Sequence, residues 1–234
     1  MRLHLDCRRG INAVSTLASL VDSGIDVAAI AERLHGLPSR VDLGASTSAF
    51  DGATVTVLEI WTELADHTGF DGIRTLIDDS SLTPRSASIA IGVYERLARA
   101  EASVHDTTVE EVTFHEVGAA RSIVVVLGLA VAIDLLDPDE VTASGIVVGS
   151  GAVDTAHGRL DVPTPATRAL LRNVPWASTT LRGELVTPTG AAILTQLADR
   201  FEPMSSAAER VGSGADVRRD PPIVTRALLS APTT

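Results

Sequence analysis

Apolar positions along the chain follow two rhythms: helical spacing, and short runs bounded by glycine, proline and polar residues. Val14, Leu17, Leu20 and Val21 share one face of a helix predicted over NAVSTLASLVDSG, with Asn12 to cap its start and Gly24 to end it. A second helix is predicted for VAAIAERLHG, closed by Gly36 and Pro38. GIRTLID and SASIAIGVYERLARAEASVHD read as further helices. In the latter, Ile89, Val93, Leu97 and Val104 mark the apolar face, and Glu95, Arg96 and Arg99 lie largely outside it. RSIVVVLGLAVAIDLL reads as a buried helix, although its β-branched residues leave a strand open for part of it.

The shorter runs predict strands. LHLDC, VEEVTF leading into His115, and EVTASGIVVGSG fit this pattern, while VTVLEIWTELAD fits strand or helix. Residues 39–55, rich in Ser, Thr, Gly, Asp and Ala, have weak periodicity and read as a flexible loop. From GSGADVRRDPP onward the chain reads as a loop followed by a short terminal strand or linker. VPTPATRALL and LVTPTGAAILTQLADRF each place Thr before Pro, at Thr164 and Thr187, which predicts two capped helix starts. The predicted fold class is α/β: mixed short strands with several packed helices in a single globular unit.

Composition narrows the class. Hydrophobic residues make up 45% and charged residues 21%, which excludes a disordered chain; aromatics are only 3%, so Ala, Val and Leu must supply most of the packing. A net charge of −11 argues against a nucleic-acid partner. With Cys7 as the single cysteine no intrachain disulfide is possible, as suits a reducing cytoplasm. MRLHLDCRRG lacks the apolar core of a signal peptide, and the longest apolar run, residues 123–133, is too short to span a bilayer. These features predict a soluble cytoplasmic protein with no membrane partner.

Six histidines are present, none in the spacing of a helical zinc site. A metal site would have to be assembled in three dimensions from His105, His115 and His157 with carboxylates such as Glu116. Neutral imidazoles suit nickel or zinc. Hydrogen-bonded or surface histidines are the alternative. His115 and Glu116 are adjacent, so in a regular strand they point apart; they converge only at a strand end or bend, which Gly118 permits. The two Thr-Pro helix starts offer free N–H groups for phosphate or carboxylate, or serve as caps alone. GSG at 149–151 and at 212–214 reads as two short glycine turns, and neither nucleotide fingerprints nor a nucleophile elbow occur. Cys7 reads as a buried small residue, with a nucleophile or soft ligand as the rarer role.

FHEVGA, SGIVVGSG, AHGRLDVPTPAT, GELVTPTGAA and GSGA occur in that order, preceded by DCRRGI and ERLARAEASVHDTTVEEVT. This ordered set resembles the LarC family, the nickel insertion proteins of nickel-pincer cofactor synthesis. The likeness covers nearly the whole chain and is weakest over residues 36–70. It implies an N-terminal LarC-like domain over residues 1–217, with 218–234 a C-terminal tail or truncated linker. It also implies a lyase-type cyclometallase. Such an enzyme inserts nickel into pyridinium-3,5-bisthiocarboxylic acid mononucleotide, forming one nickel–carbon and two nickel–sulfur bonds, with accompanying CTP hydrolysis.

That chemistry needs a transient nickel site, a phosphate site and a base for the departing ring proton. Among the positions matching the motifs, His115 and Glu116 are the expected catalytic pair. His115, Glu116 and His157 are the expected metal ligands, and Thr164, Thr187, Thr189 and Gly190 are expected to hold the mononucleotide. CTP, with Mg or Mn, is expected through a separate LarC C-terminal polypeptide. Three departures stand beside the likeness. Ala13, Val14 and Ser15 occupy the place of a Gly-Asp-Met, and Arg121 and Val125 stand where acids are typical. The family's further C-terminal region is the third. The alternative expectation is a non-catalytic relative that binds a mononucleotide or metal, or acts as a scaffold.

Overall fold

The protein is described by a computed structural model over residues 1–203 and 208–231. Its helices form where a cap and an apolar face coincide. In α1 (Ala13–Asp22), Asn12 Oδ1 accepts the Ser15 N–H at 2.7 Å, and Ser15 Oγ accepts the Asn12 N–H at 3.3 Å. Asp26 caps α2 (Val27–Leu34), and Thr83 with Pro84 starts α4 (Pro84–His105). Between them lies α3 (Phe70–Asp78). Every residue from Ile123 to Ile133 of α5 (Ala120–Leu136) is buried. A helix apolar on all sides belongs inside, and α5 packs against α1, α2 and α4. Its β-branched residues cost a few tenths of a kcal/mol each in helix propensity. Burial returns roughly 1.5–3 kcal/mol per large aliphatic side chain, so packing decides for helix over strand. The two Thr-Pro starts begin α6 (Pro165–Leu170) and α7 (Pro188–Leu197).

Seven strands form one mixed sheet: β1 (Arg2–Asp6), β2 (Val41–Phe50), β3 (Ala53–Thr62), β4 (Glu140–Ala143), β9 (Arg200–Phe201), β10 (Arg210–Asp216) and β11 (Ile223–Ser230). Their order is β2-β3-β10-β11-β1-β4-β9. Four more strands stand apart. β5 (Ile146–Ser150) pairs in parallel with β8 (Trp176–Arg182), and β6 (Ala152–Thr155) forms a hairpin with β7 (Gly158–Asp161). The architecture is therefore mixed α/β, with short strands and packed helices in one unit. No helix among the described residues is long and apolar enough to cross a membrane.

Several local expectations give way to the structure. Residues 39–55 are not a flexible loop: β2 and β3 pair from Val41–Thr62 to Phe50–Ala53, around an Asp51–Gly52 turn with both φ positive. Asp-Gly is a strong hairpin signal, and the weak alternation of β2 reflects its largely exposed side chains. VEEVTF is not a strand. Val109–Glu111 is a 3-10 turn with a Thr108/Glu111 capping box, after which the chain runs extended to Phe114. EVTASGIVVGSG divides into β4 and β5, which belong to different sheets. Residues 218–234, expected to be a tail or linker with a short terminal strand as the other reading, contain β11, an eight-residue interior strand between β1 and β10. Its near-continuous apolar run is the pattern of a strand buried on both faces; residues 232–234 lie outside the described residues.

GSGA at 212–215 lies in β10 and makes no turn. A Cβ on Gly212 would meet the Ser19 carbonyl oxygen at 2.1 Å, and one on Gly214 would meet the Ser15 carbonyl oxygen at 2.2 Å. The two glycines thus let the backbone of α1 rest directly on the sheet, leaving α1 between β10 and α5. Cys7 is fully buried, its thiol pushed well above the usual range by that burial, so it is a packing residue and no nucleophile.

Candidate functional site

The segment FHEVGA is fixed by its apolar members and presents its polar ones. Phe114 is buried, its ring centroid 6.0 Å from that of Tyr94, and its N–H donates to the Thr68 carbonyl at 2.6 Å. The His67 N–H donates to the Gly118 carbonyl at 2.9 Å. Between these anchors the chain bends, and His115 and Glu116 are both exposed. The bend removes the strand alternation that would have sent them to opposite faces. Both side chains now line one cavity of about 200 Å³.

His157 reaches the same cavity from a different element. It sits at the tip of the β6–β7 hairpin, where its N–H donates to Thr155 Oγ1 at 3.1 Å. Its ring meets that of His115 edge-on, with centroids 4.8 Å apart, and that of His105 at the same distance. Glu101 and His105 are one turn apart at the end of α4, with His105 Nε2 3.5 Å from Glu101 Oε2. Ligand atoms of Glu101, His105 and His157 all lie within 4.8 Å of one another. A metal held at about 2.1 Å from each donor needs them about 3–4 Å apart, so these side chains must close by about an ångström. The exposure of both histidines leaves them that freedom.

The Thr-Pro helix starts complete the walls: Thr164, Thr187 and Thr189 all line the cavity. Thr187 Oγ1 accepts the Gly190 N–H at 3.1 Å, as a cap does. Thr164 makes no side-chain cap; its hydroxyl donates to Thr167 Oγ1 at 3.0 Å. Gly190, expected beside them, is buried and absent from the lining. A Cβ there would meet the Ile11 carbonyl oxygen at 2.2 Å, so its role is to let α7 abut the start of α1. Ile11 and Val186 form a bridge at this junction.

His105, a metal candidate from the sequence, reaches this wall, and two wall carboxylates that the sequence did not single out join it. Glu101 carried a signal, an i,i+4 pairing with His105 at a helix end. Glu184 carried none, because its character comes from burial. That burial pushes its carboxyl up to about 7. Arg219, 3.4 Å away, pulls it back, and the negative charge of Glu116 adds to the rise. The cavity thus joins three imidazoles, the four carboxylates of Glu101, Glu116, Asp154 and Glu184, and two helix starts. Such a set can hold a borderline metal and take up a proton beside it.

The sequence model of the family described as "Nickel insertion protein" matches residues 3–233. The chain belongs to this nickel insertion protein family. It is 39% identical over 236 residues to a relative from Citrifermentans bemidjiense, covering 98% of this chain and 61% of that one. Two relatives carry the name pyridinium-3,5-bisthiocarboxylic acid mononucleotide nickel insertion protein. The one from Acetivibrio thermocellus is 35% identical over 231 residues, 93% of this chain and 57% of its own. The one from Desulfitobacterium hafniense is 38% identical over 218 residues, 92% and 54% respectively. The chain spans between half and two thirds of the length of these relatives. No solved structure matches it.

Proposed function

We propose that this family member takes part in nickel insertion into pyridinium-3,5-bisthiocarboxylic acid mononucleotide, in the cytoplasm, with the metal received in the histidine cavity. The observation that carries the reading is the meeting of His105, His115 and His157 with Glu101, brought from α4, the FHEVGA bend and a hairpin tip. Imidazole and carboxylate bind nickel firmly enough to present it and leave it exchangeable toward the softer thiocarboxylate sulfurs. Forming the nickel–carbon bond releases a ring proton. In this reading Glu116 and Glu184, which line the same cavity, accept it, and His115 shares the metal and proton roles. Thr164, Thr187 and Thr189 border the space left for the nucleotide. CTP, with magnesium or manganese, and a separate polypeptide supplying the C-terminal region belong to the same proposal.

A second reading has an observation of its own. Val14, Arg121 and Val125, the three positions that depart from the acids typical of the LarC pattern, line a single neighbouring cavity. A relative that kept the pocket and lost metal chemistry fits that change. Calorimetry of nickel binding, with and without the bisthiocarboxylate mononucleotide, separates the two. Insertion competence predicts nickel binding strengthened by the nucleotide and weakened about tenfold or more by His115→Ala, with the fold retained. Nucleotide binding without nickel binding selects the second reading. Unfolding of His115→Ala would make His115 a structural residue.

A further inference from the structure

The neighbouring cavity, of about 410 Å³, lies where α1 and α7 begin, and it shares Ser122, Thr187, Thr189 and Arg219 with the histidine cavity. Its walls carry three guanidiniums, Arg121, Arg218 and Arg219. We propose that this cavity is an anion site that takes the phosphate monoester of a mononucleotide whose ring reaches into the histidine cavity. The identity of the nucleotide rests on the function proposed above; the preference for a phosphate rests on the cavity's own groups.

The charge balance favours an anion. Asp216 is already engaged, accepting from Asn12 Nδ2 at 2.8 Å and from the Arg218 N–H at 3.2 Å. Glu184 pairs with Arg219 at 3.4 Å. Three cations therefore face two carboxylates. Among the described residues the Arg218 guanidinium has no hydrogen-bond or ion-pair partner, and Arg121 Nη1 donates to the neutral Ile60 carbonyl, with Asp216 acting on it only as a nearby charge. Burial, with Arg218 close by, pulls the Arg121 guanidinium below its ordinary range, and the opposing pull of Asp216 does not restore it. The chain as a whole carries −11, so general surface charge would repel an anion, and this cavity is a local exception.

The surrounding backbone adds to this. Caps occupy the Ser15 and Gly190 N–H groups, leaving those of Ala13, Val14 and Thr189 outside intrahelical bonding at the cavity wall. Val14 and Val125 supply an apolar flank. A ligand with one anionic end and a flat ring matches that division.

The test is calorimetry on the 234-residue chain with nicotinate mononucleotide, which has a pyridinium ring and one phosphate but no thiocarboxylate. The matching nucleoside, lacking phosphate, is the control. The wild type should bind the mononucleotide at least about tenfold tighter than the nucleoside. Arg121→Gln with Arg218→Gln should abolish that advantage, and Arg218→Lys should retain part of it. Equal binding of nucleotide and nucleoside, equal binding by wild type and double variant, or no binding of the nucleotide would each overturn the site. Arginine-dependent binding of CTP in preference to the mononucleotide would overturn the assignment to a monoester. Nickel titrated alone separates this inference from the proposed function. If the wild type takes no nickel yet binds the mononucleotide through its arginines, the nickel reading falls and the anion site stands.

Discussion

Glu184 ties the site to stability in a way that can be titrated. Its side chain is only 9% exposed, and burial raises its carboxyl from 4.5 to about 7 despite Arg219. The folded protein therefore binds this proton more tightly than the unfolded chain does. The associated stability is fully present below about pH 4.5 and is lost as pH rises through about 7. At 1.36 kcal/mol per tenfold, that rise corresponds to roughly 3 kcal/mol in all. About 2 kcal/mol of it falls between pH 5.5 and pH 8. Glu184→Gln holds the same shape in a permanently neutral form. Urea unfolding of both proteins at the two pH values measures the effect, because the lost Arg219 ion pair shifts the variant's stability but adds no steep carboxyl titration. Wild type should lose about 2 kcal/mol more than the variant on going to the higher pH. Parallel pH dependence would refute the argument and show that Glu184 is solvated or fully compensated by Arg219.

Gly214→Ala should destabilise by roughly 3 kcal/mol, because its Cβ would meet the α1 backbone at 2.2 Å, whereas Ser213→Ala should stay within about 0.5 kcal/mol; urea midpoints compare them. Phe114→Ala removes the anchor beneath His115 and should cost about 3–5 kcal/mol, with nickel affinity lost alongside stability in a paired titration. Asn12→Ala should cost roughly 1–2 kcal/mol by thermal melting, through loss of the α1 cap and of the Asp216 hydrogen bond.

Local chemistry made much of the fold legible in the sequence. Asn12 and Thr187 cap helices because each carries an oxygen one turn ahead of a free N–H, a relation contained within four residues. The α5 run specified burial because nothing polar interrupts it. Asp51–Gly52 announced its hairpin just as locally, but the polar surface of β2 hid the alternation on either side. Residues 212–214 and 223–230 had to wait for the tertiary structure. A glycine pair reads as a turn until a helix is known to lie on it, and an apolar run near the end of the sequence reads as a tail until partners claim both its edges. The site divides in the same way. The sequence supplied His105, His115, Glu116, His157 and the Thr-Pro starts as chemically capable residues. Only the fold set the hairpin tip beside the end of α4, drew in Glu101 and Glu184, and gathered Arg121, Arg218 and Arg219 at the next cavity. Side-chain chemistry is fixed residue by residue, while proximity and burial come from contacts between segments a hundred residues apart, and those contacts turn separate donors into a site.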